Sequence, residues 1–233
     1  MFFNKFSKEE LGVELELEGY TECLFNKNYF PKKLRNKYLY DITTDPTVND
    51  SGTEIIFKYF PLSNWNYKEI VEIYKVIYSM NLHPGKSAGM HIHYSGPDIR
   101  LVYKSYKQEI DFIKKNNKDG FLTNCFKTIG ARSGDSMYCL SNNILKPSFK
   151  DNYTFETKVF ESTTNPDVLY YRLHVTNYII KIMSGTEYFD IPKVFFTQMP
   201  DNIKNMFWFL TTTENPNKYG FKPDFIYNQL LGR

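Results

Sequence analysis

The segment Gly12–Glu18 (GVELELE) alternates strictly between apolar and acidic residues. Successive side chains of a β-strand point to opposite faces of the sheet, so this period of two predicts a strand with Val13, Leu15 and Leu17 in the core. The glutamates then share the opposite face. For this strand alone, the simplest interpretation is that water covers the glutamates, as is common in antiparallel sheets.

Other segments show the patterns of strands and of helices. Strand-like patterns occupy Lys37–Thr43, Thr53–Phe60, Ala88–Ser95 and Tyr153–Glu161. Helical spacing of apolar residues occupies Asn66–Met80, Pro97–Lys115 and Asn165–Gly185, and a shorter helix is predicted to end near Gly130. Because the helices do not recur at regular βαβ spacing, the sequence predicts an α+β fold with an antiparallel or mixed sheet.

The chain of 233 residues is 42% hydrophobic and 24% charged, which is ordinary for a folded protein. No linker or internal repeat divides it, so we predict a single domain over residues 1–233. Its last part, residues 186–233, is predicted to form short helices around aromatic side chains.

Charge and hydropathy restrict the class of partner. Lys and Arg number 29 against 26 Asp and Glu, a net charge of +3 that does not indicate nucleic-acid binding. Because the chain has no long apolar run and no signal peptide, we expect no membrane partner and a cytoplasmic location.

Cys23, Cys125 and Cys139 are interpreted as buried thiols. The basic run Lys27–Lys37 is either a solvated loop or a lid over phosphates.

Several predicted strands carry ionisable side chains on one face. His91 and His93 are two residues apart, as are Glu14 and Glu16, while Glu156 shares a face with Lys158 and Glu54 begins another strand. Two carboxylates about 7 Å apart repel each other by about 2 kcal/mol at an effective dielectric near 20, so an enclosed site needs a compensating cation.

The residue types indicate which cation and which ligand. Carboxylates with one or two histidines and no cysteine suit Mg²⁺ or Mn²⁺ better than zinc. Such ions usually serve phosphate groups, for which Lys158 and Arg132 are natural counter-charges. Arg132 lies in a Gly/Ser-rich segment, Gly130–Ser136, whose backbone could approach an anion closely.

Four short motifs carry a family resemblance. In chain order they are Gly12–Glu16 (GVELE), Asp45–Val48 (DPTV) followed by Gly52–Ile55 (GTEI), Gly89–His93 (GMHIH) and Glu156–Lys158 (ETK). This order resembles the amidoligases of the carboxylate-amine ligase superfamily, which are relatives of glutamine synthetase and glutamate-cysteine ligase. The resemblance covers residues 11 to 185, and it implies a catalytic domain like that of glutamine synthetase, with a curved antiparallel sheet and helices outside.

The resemblance also implies roles for individual residues. Glu14, His91 and Glu156 would hold the metal on the ATP phosphates, and Glu16 and Glu54 would hold a second metal beside the acceptor. His93 would lie near the nucleotide. The family motif ordinarily ends in Arg, which contacts the transferred phosphate, whereas this chain has Lys158. Lysine keeps the charge but lacks the planar bidentate fork, so phosphate binding would be weaker.

The implied reaction is ATP- and Mg²⁺- or Mn²⁺-dependent formation of an amide or peptide bond through an acyl phosphate. Its partners are small-molecule or peptide carboxylates and amines, and Lys158 and Arg132 would stabilise developing charge. Two alternatives stay open: a metal-dependent hydrolase or oxygenase that uses His91 and His93, and a catalytically inert member of the same fold that binds or supports another molecule.

Overall fold

An antiparallel sheet forms the centre of the computed structural model, which describes residues 8–19, 27–48, 52–130, 146–147 and 153–213. The strands are β1 (Glu10–Leu17), β2 (Leu39–Asp45), β3 (Gly52–Phe57), β4 (Gly89–Ser95), β5 (Lys146–Pro147) and β6 (Tyr153–Glu161). Their spatial order is β2-β3-β1-β4-β6-β5, and every neighbouring pair is antiparallel. Strand β1, whose alternation is the clearest in the sequence, lies inside the sheet.

Seven α-helices accompany the sheet within the described ranges. They are α1 (Lys32–Tyr38), α2 (Tyr67–Ser79), α3 (Ile99–Asn116), α4 (Phe121–Thr128), α5 (Pro166–Gly185), α6 (Ile191–Thr197) and α7 (Asp201–Thr213). Helices α3 and α4 contact β6, and α5 contacts β4. A helix that could span the apolar interior of a bilayer does not occur in this part of the chain.

The apolar face of the sheet forms the core. Val13, Leu15 and Leu17 are almost fully buried, as the alternation in β1 predicts, and they belong to one cluster with the buried residues of the helices. Burial of large aliphatic and aromatic side chains contributes roughly 1.5 to 3 kcal/mol each. The predicted combination of helices with an antiparallel sheet is confirmed.

Helix α5 begins and ends where the sequence predicts. The Asn165 side chain accepts a hydrogen bond from the backbone N–H of Asp167 at 2.9 Å, and Pro166 occupies the first turn, where its missing N–H costs nothing. Asn66 caps α2 in the same way by accepting from the N–H of Glu69. The predicted short helices of the tail are present as far as residue 213, and the rest of the tail lies outside the described residues.

The start of β2 is predicted wrongly. Lys37 and Tyr38 belong to α1, and the strand runs from Leu39 to Asp45 instead of from Lys37 to Thr43. Leu34 and Tyr38 are four residues apart and both buried, which is the spacing of one helix face. The Tyr38 hydroxyl also donates to Glu69 at 2.6 Å. These tertiary contacts outweigh the local strand-like pattern.

Strand β4 is buried on both faces, whereas the alternation predicts a half-buried strand. Met90 and Ile92 face the core, but His91 and His93 on the other face are only 6% and 5% exposed. Carboxylates of the neighbouring strands and the ring of Tyr59 cover the histidine side. The polar face of the sheet is therefore an enclosed site at this point.

Candidate metal centre

The sheet register brings the predicted site residues together. Strand β1 pairs with β4 so that Glu14 lies opposite His91, and β4 pairs with β6 so that His93 lies opposite Glu156. On the other side of β1, Glu16 lies directly opposite Glu54. Residues opposite each other on adjacent strands have Cβ atoms about 5 Å apart, so these side chains share one small region.

His91 lies at the centre of this cluster. Its Nδ1 is 3.1 Å from Glu14 Oε2 and 3.5 Å from Glu156 Oε1, while its Nε2 is 3.1 Å from Glu16 Oε1. Both ring nitrogens therefore face carboxylates that come from other strands. One imidazole ring joins acidic groups that are 60 to 80 residues away in the sequence.

Glu156 Oε1 is the atom on which several contacts converge. It lies 3.2 Å from Lys158 Nζ, 3.5 Å from His91 Nδ1 and 3.7 Å from His93 Nε2. A β-bulge lies next to it, because Met90 pairs with Phe160 but Ile92 pairs with Thr157, which leaves one extra residue in β6. The bulge lies beside Lys158 and changes the register at the point where this lysine contacts the site.

Glu16 is held by backbone groups, and the water-covered interpretation is wrong for it. Its carboxylate accepts a hydrogen bond from the N–H of Gly89 at 2.6 Å, and the side chain is 9% exposed. The Ser162 hydroxyl donates to the backbone carbonyl of Glu16. Glu16 is thus fixed at the junction of β1, β4 and the end of β6.

Two groups of side chains have the geometry of a cation site. Potential ligand atoms of Glu14, His91 and Glu156 lie within 4.8 Å of one another, and so do those of Glu16, Glu54 and His91. Carboxylate oxygens with a single imidazole nitrogen match the preferences of Mg²⁺ and Mn²⁺, and no cysteine of the described residues joins either group. The donor set therefore fits these hard divalent cations.

Burial and charge perturb the acid-base behaviour of the cluster. Burial acts to raise the pKa of Glu14, but hydrogen bonds with His91 and His93 outweigh it and hold that pKa well below its usual range. Burial and the charge of Glu14 raise the pKa of Glu54 to about 7. Burial acts to lower the pKa of His91, yet its hydrogen bonds with Glu14 and Glu16 raise this pKa to about 9. The cluster as a whole has an excess of negative charge.

Tyr59 completes the wall of the site and was not among the site residues predicted from the sequence. Its ring meets His93 edge to face, with centroids 6.0 Å apart, and the Thr154 hydroxyl oxygen lies 3.5 Å from Nδ1 of the same histidine. Burial, with the nearby charges of Glu14 and Glu156, raises the pKa of Tyr59 well above its usual range. Tyr59 lies two residues past the end of β3, because this strand ends at Phe57 and not at Phe60, as the pattern over Thr53–Phe60 predicts. Thr154, by contrast, shares the period of two with Glu156.

Gly12 provides the space that the Tyr59 ring occupies. A Cβ atom added at Gly12 would lie 2.9 Å from Tyr59 Cζ and 3.0 Å from both Cε atoms. We expect Gly12→Ala to lower the free energy of unfolding by about 1 to 3 kcal/mol, because the ring must move within a packed site. Urea unfolding measures this. Gly185→Ala is the control, since an added Cβ there meets nothing within 4 Å, and its expected change is within about 0.5 kcal/mol. Equal stabilities of the two variants would contradict this packing account.

The other residues singled out in the sequence have separate outcomes. Arg132 lies outside the described residues, so its predicted contact with phosphate stays a prediction. Residues 32–37 of the basic run lie in helix α1 and not in a loop, and Lys33 and Lys37 pair with Glu69. Of the cysteines, Cys125 is buried as predicted, and the other two also lie outside the described residues.

Comparisons with known proteins add no family to this geometry. No model of a known protein family matches the sequence, and no curated protein matches it.

Proposed function

We propose that this chain is an ATP-dependent carboxylate-amine ligase, an amidoligase that forms an amide or peptide bond through an acyl phosphate. The observation that carries the proposal is the convergence of Glu14, His91 and Glu156 from three strands, with Glu16 and Glu54 beside them. The family resemblance assigns the first three residues to one metal ion and Glu16 with Glu54 to a second, and in the structure His91 also lies within reach of the second pair. If the four short motifs matched the family by chance, there would be no reason for their residues to converge in space.

The arrangement of the sheet and the helices in layers supports the proposal. In glutamine synthetase-like catalytic domains, carboxylates line one face of an antiparallel sheet and helices cover the outside. Here the carboxylates lie on the face of β1, β4 and β6 opposite to the apolar core, and α3, α4 and α5 contact β4 and β6. We therefore propose the glutamine synthetase-like catalytic fold together with the activity.

Mg²⁺ or Mn²⁺ bound at the carboxylates would supply charge neutralisation and alignment for the nucleotide phosphates. The chain's own residues then have separate tasks. The ammonium group of Lys158 lies next to Glu156, where it can contact the transferred phosphoryl group. The buried rings of His91 and His93, with the half-buried ring of Tyr59 beside them, exclude water, which would otherwise hydrolyse an acyl phosphate.

The proposed chemistry has two steps. A substrate carboxylate oxygen attacks the γ-phosphorus of ATP, the bond from that phosphorus to the β,γ-bridging oxygen breaks, and an acyl phosphate and ADP form. The amine nitrogen then attacks the acyl carbon, the carbon–oxygen bond to phosphate breaks, and the nitrogen loses a proton to solvent or base. The carboxylate acceptor and the amine are small molecules or peptides.

The metal-dependent hydrolase or oxygenase fits the geometry less well. Such a site requires both His91 and His93 as ligands, but the groups that can hold a cation among the described residues include His91 and not His93. The inert alternative rests on Lys158 in place of the family's arginine. Both alternatives predict that ATP has no metal-dependent effect on the protein.

Thermal unfolding with ATP and Mg²⁺ or Mn²⁺ tests the proposal. At 100 times its dissociation constant, a ligand stabilises the folded state by about 2.7 kcal/mol, which for a chain of this size raises Tm by roughly 5 to 10 °C. We expect this rise only with both metal and ATP, followed by phosphate release with a suitable carboxylate and amine from a panel of amino acids and short peptides. Metal-independent stabilisation, or none at all, would contradict the ligase.

Two substitutions test the charge and the shape of the Lys158 side chain separately. We expect Lys158→Arg to preserve or raise the rate of phosphate release, because arginine restores the bidentate contact of the family. Lys158→Met removes the cation, and the expected loss is at least about 100-fold. Steady-state phosphate release measures both variants. A large loss in Lys158→Arg would show that lysine is an adaptation of this site.

A further inference from the structure

Ile56 is an apolar exception on the metal-binding face of the sheet. Strand β1 gives this face glutamates, and β4 gives it histidines. In β3, the sequence Gly52–Phe57 (GTEIIF) breaks the alternation of polar and apolar residues after Glu54. Ile56 lies directly opposite Glu14, so its side chain is on the same face as that carboxylate.

The side chain of Ile56 is half-buried, but it does not belong to the core. Its neighbours in β3, Ile55 and Phe57, are 0% and 2% exposed and are part of the core cluster on the other face. Among the described residues, half-buried apolar side chains such as Phe60 and Leu62 pack against that cluster, whereas Ile56 does not. Packing within this part of the chain therefore does not explain an isoleucine at this position.

Carboxylates lie on three sides of Ile56. Glu14 is opposite it on β1, Asp41 is opposite it on β2, and Glu54 precedes it by two residues on β3. Opposite residues have Cβ atoms about 5 Å apart, and residues two apart on a strand are about 7 Å apart. Carboxylates bind cations and water and offer no apolar contact, so the exposed carbon atoms of Ile56 gain favourable burial from the apolar part of a ligand.

The order of the strands places Ile56 on the acceptor side of the proposed reaction. Lys158, the cation assigned to the transferred phosphoryl group, lies on β6, and β3 is three positions away in the order β3-β1-β4-β6. Adjacent strands are about 4.8 Å apart, so about 14 Å separates β3 from β6. The second cation group, by contrast, includes Glu54 on the same strand as Ile56. The organic part of a carboxylate bound at that cation therefore lies beside Ile56.

We propose that Ile56 is a specificity-determining residue that binds the aliphatic chain of the carboxylate substrate. The substrate class is a carboxylic acid with several CH₂ groups next to its carboxylate, in preference to a very short or hydroxylated acid. The inference rests on the proposed function in so far as this carboxylate is the one that is phosphorylated. The contact between the alkyl chain and Ile56 requires only a carboxylate bound at the cation.

Carboxylic acids of increasing length test this contact without nucleotide. Acetate, propionate, butyrate and pentanoate are titrated into Mn²⁺-loaded protein, and water-proton relaxation follows their binding. In the wild type, we expect the dissociation constant to fall about two- to fourfold for each added CH₂ group. Ile56→Thr keeps the branched β-carbon and loses apolar surface, so its four dissociation constants should agree within about twofold. Acetate should bind equally to both proteins, because its carboxylate contacts the metal and its methyl group is too short to reach residue 56.

Ile55→Val is the matched control on the opposite face of the same strand. Ile55 is fully buried, so removal of one CH₂ group should lower the urea midpoint and leave the dependence on acid length unchanged. Ile56→Thr should show the reverse, with a urea midpoint close to that of the wild type. A midpoint that falls as far as in Ile55→Val, with the dependence on acid length unchanged, would overturn the proposal, because Ile56 would then serve packing alone. A wild type whose affinity does not vary with acid length would overturn it as well.

The ATP experiments separate this inference from the ligase proposal. If ATP has no metal-dependent effect, but acid length governs affinity in the wild type and not in Ile56→Thr, the ligase is wrong and the aliphatic subsite stands. If the wild type releases phosphate with a kcat/KM that does not vary with acid length, or that varies equally in Ile56→Thr, the ligase stands and the subsite is wrong.

Discussion

Glu156→Gln is expected to weaken Mn²⁺ binding by at least about 100-fold and to abolish phosphate release, because this carboxylate meets His91, His93 and Lys158 through a single oxygen. Replacing even an outer partner of a metal ligand typically costs 10- to 100-fold in affinity, and we expect loss of a charged ligand to cost more. The side chain is almost fully buried, so solvent does not replace it readily. Mn²⁺ titration followed by electron paramagnetic resonance measures the affinity.

Glutamine keeps the shape of Glu156 and removes one of four mutually repelling carboxylates, so we expect the variant to fold. Near-ultraviolet circular dichroism checks this. Glu187→Gln is the control, since Glu187 is 73% exposed and pairs with Lys104 on the surface. Wild-type Mn²⁺ affinity in a folded Glu156→Gln protein would contradict the assignment of Glu156 as a ligand.

Arg172→Met is expected to lower the free energy of unfolding by about 3 to 5 kcal/mol, the usual effect of disrupting a buried charged network. Arg172 lies on α5 and is completely buried. Its guanidinium donates to the backbone carbonyls of Ile129 at 3.1 Å, Glu161 at 2.7 Å and Gly130 at 3.4 Å. Methionine leaves these carbonyls without their donor, and it also removes the cation that lies over the Phe160 ring.

Arg172 connects to the site through the end of β6. Glu161 pairs with Gly89, whose N–H binds the Glu16 carboxylate. We therefore expect Arg172→Met to disturb the metal centre as well as stability. Lys181→Met is the control on the same helix, because Lys181 is 55% exposed and its change should remain within about 0.5 kcal/mol. Urea unfolding that shows equal losses in the two variants would contradict the role given to Arg172.

Elements with strong local signals are predicted well from the sequence. The alternation in Gly12–Glu18 predicts both the strand and its buried face, and Tyr153–Glu161 is a strand with the predicted bounds. Asn165 and Pro166 mark the start of α5 because capping depends on local backbone groups. In these segments, short-range hydrogen bonding and the final packing favour the same structure.

Features that depend on neighbouring strands are predicted less well. Local sequence does not specify that Glu16 faces Glu54, or that β6 carries a bulge beside Lys158. The order of the motifs indicates a common site only through the family resemblance. Tyr59 reaches His93 because two distant backbone segments, at Leu11 and Phe60, are joined by hydrogen bonds. No pattern in the sequence predicts this contact.

The central claim is that acidic residues from separate strands hold divalent cations. Mn²⁺ titration of the wild-type chain with a non-hydrolysable ATP analogue, read by electron paramagnetic resonance, tests it most directly. The two groups of ligands predict two saturable Mn²⁺ sites per chain. Mn²⁺ that remains free in solution, with no saturable binding in the presence of the analogue, would contradict the claim.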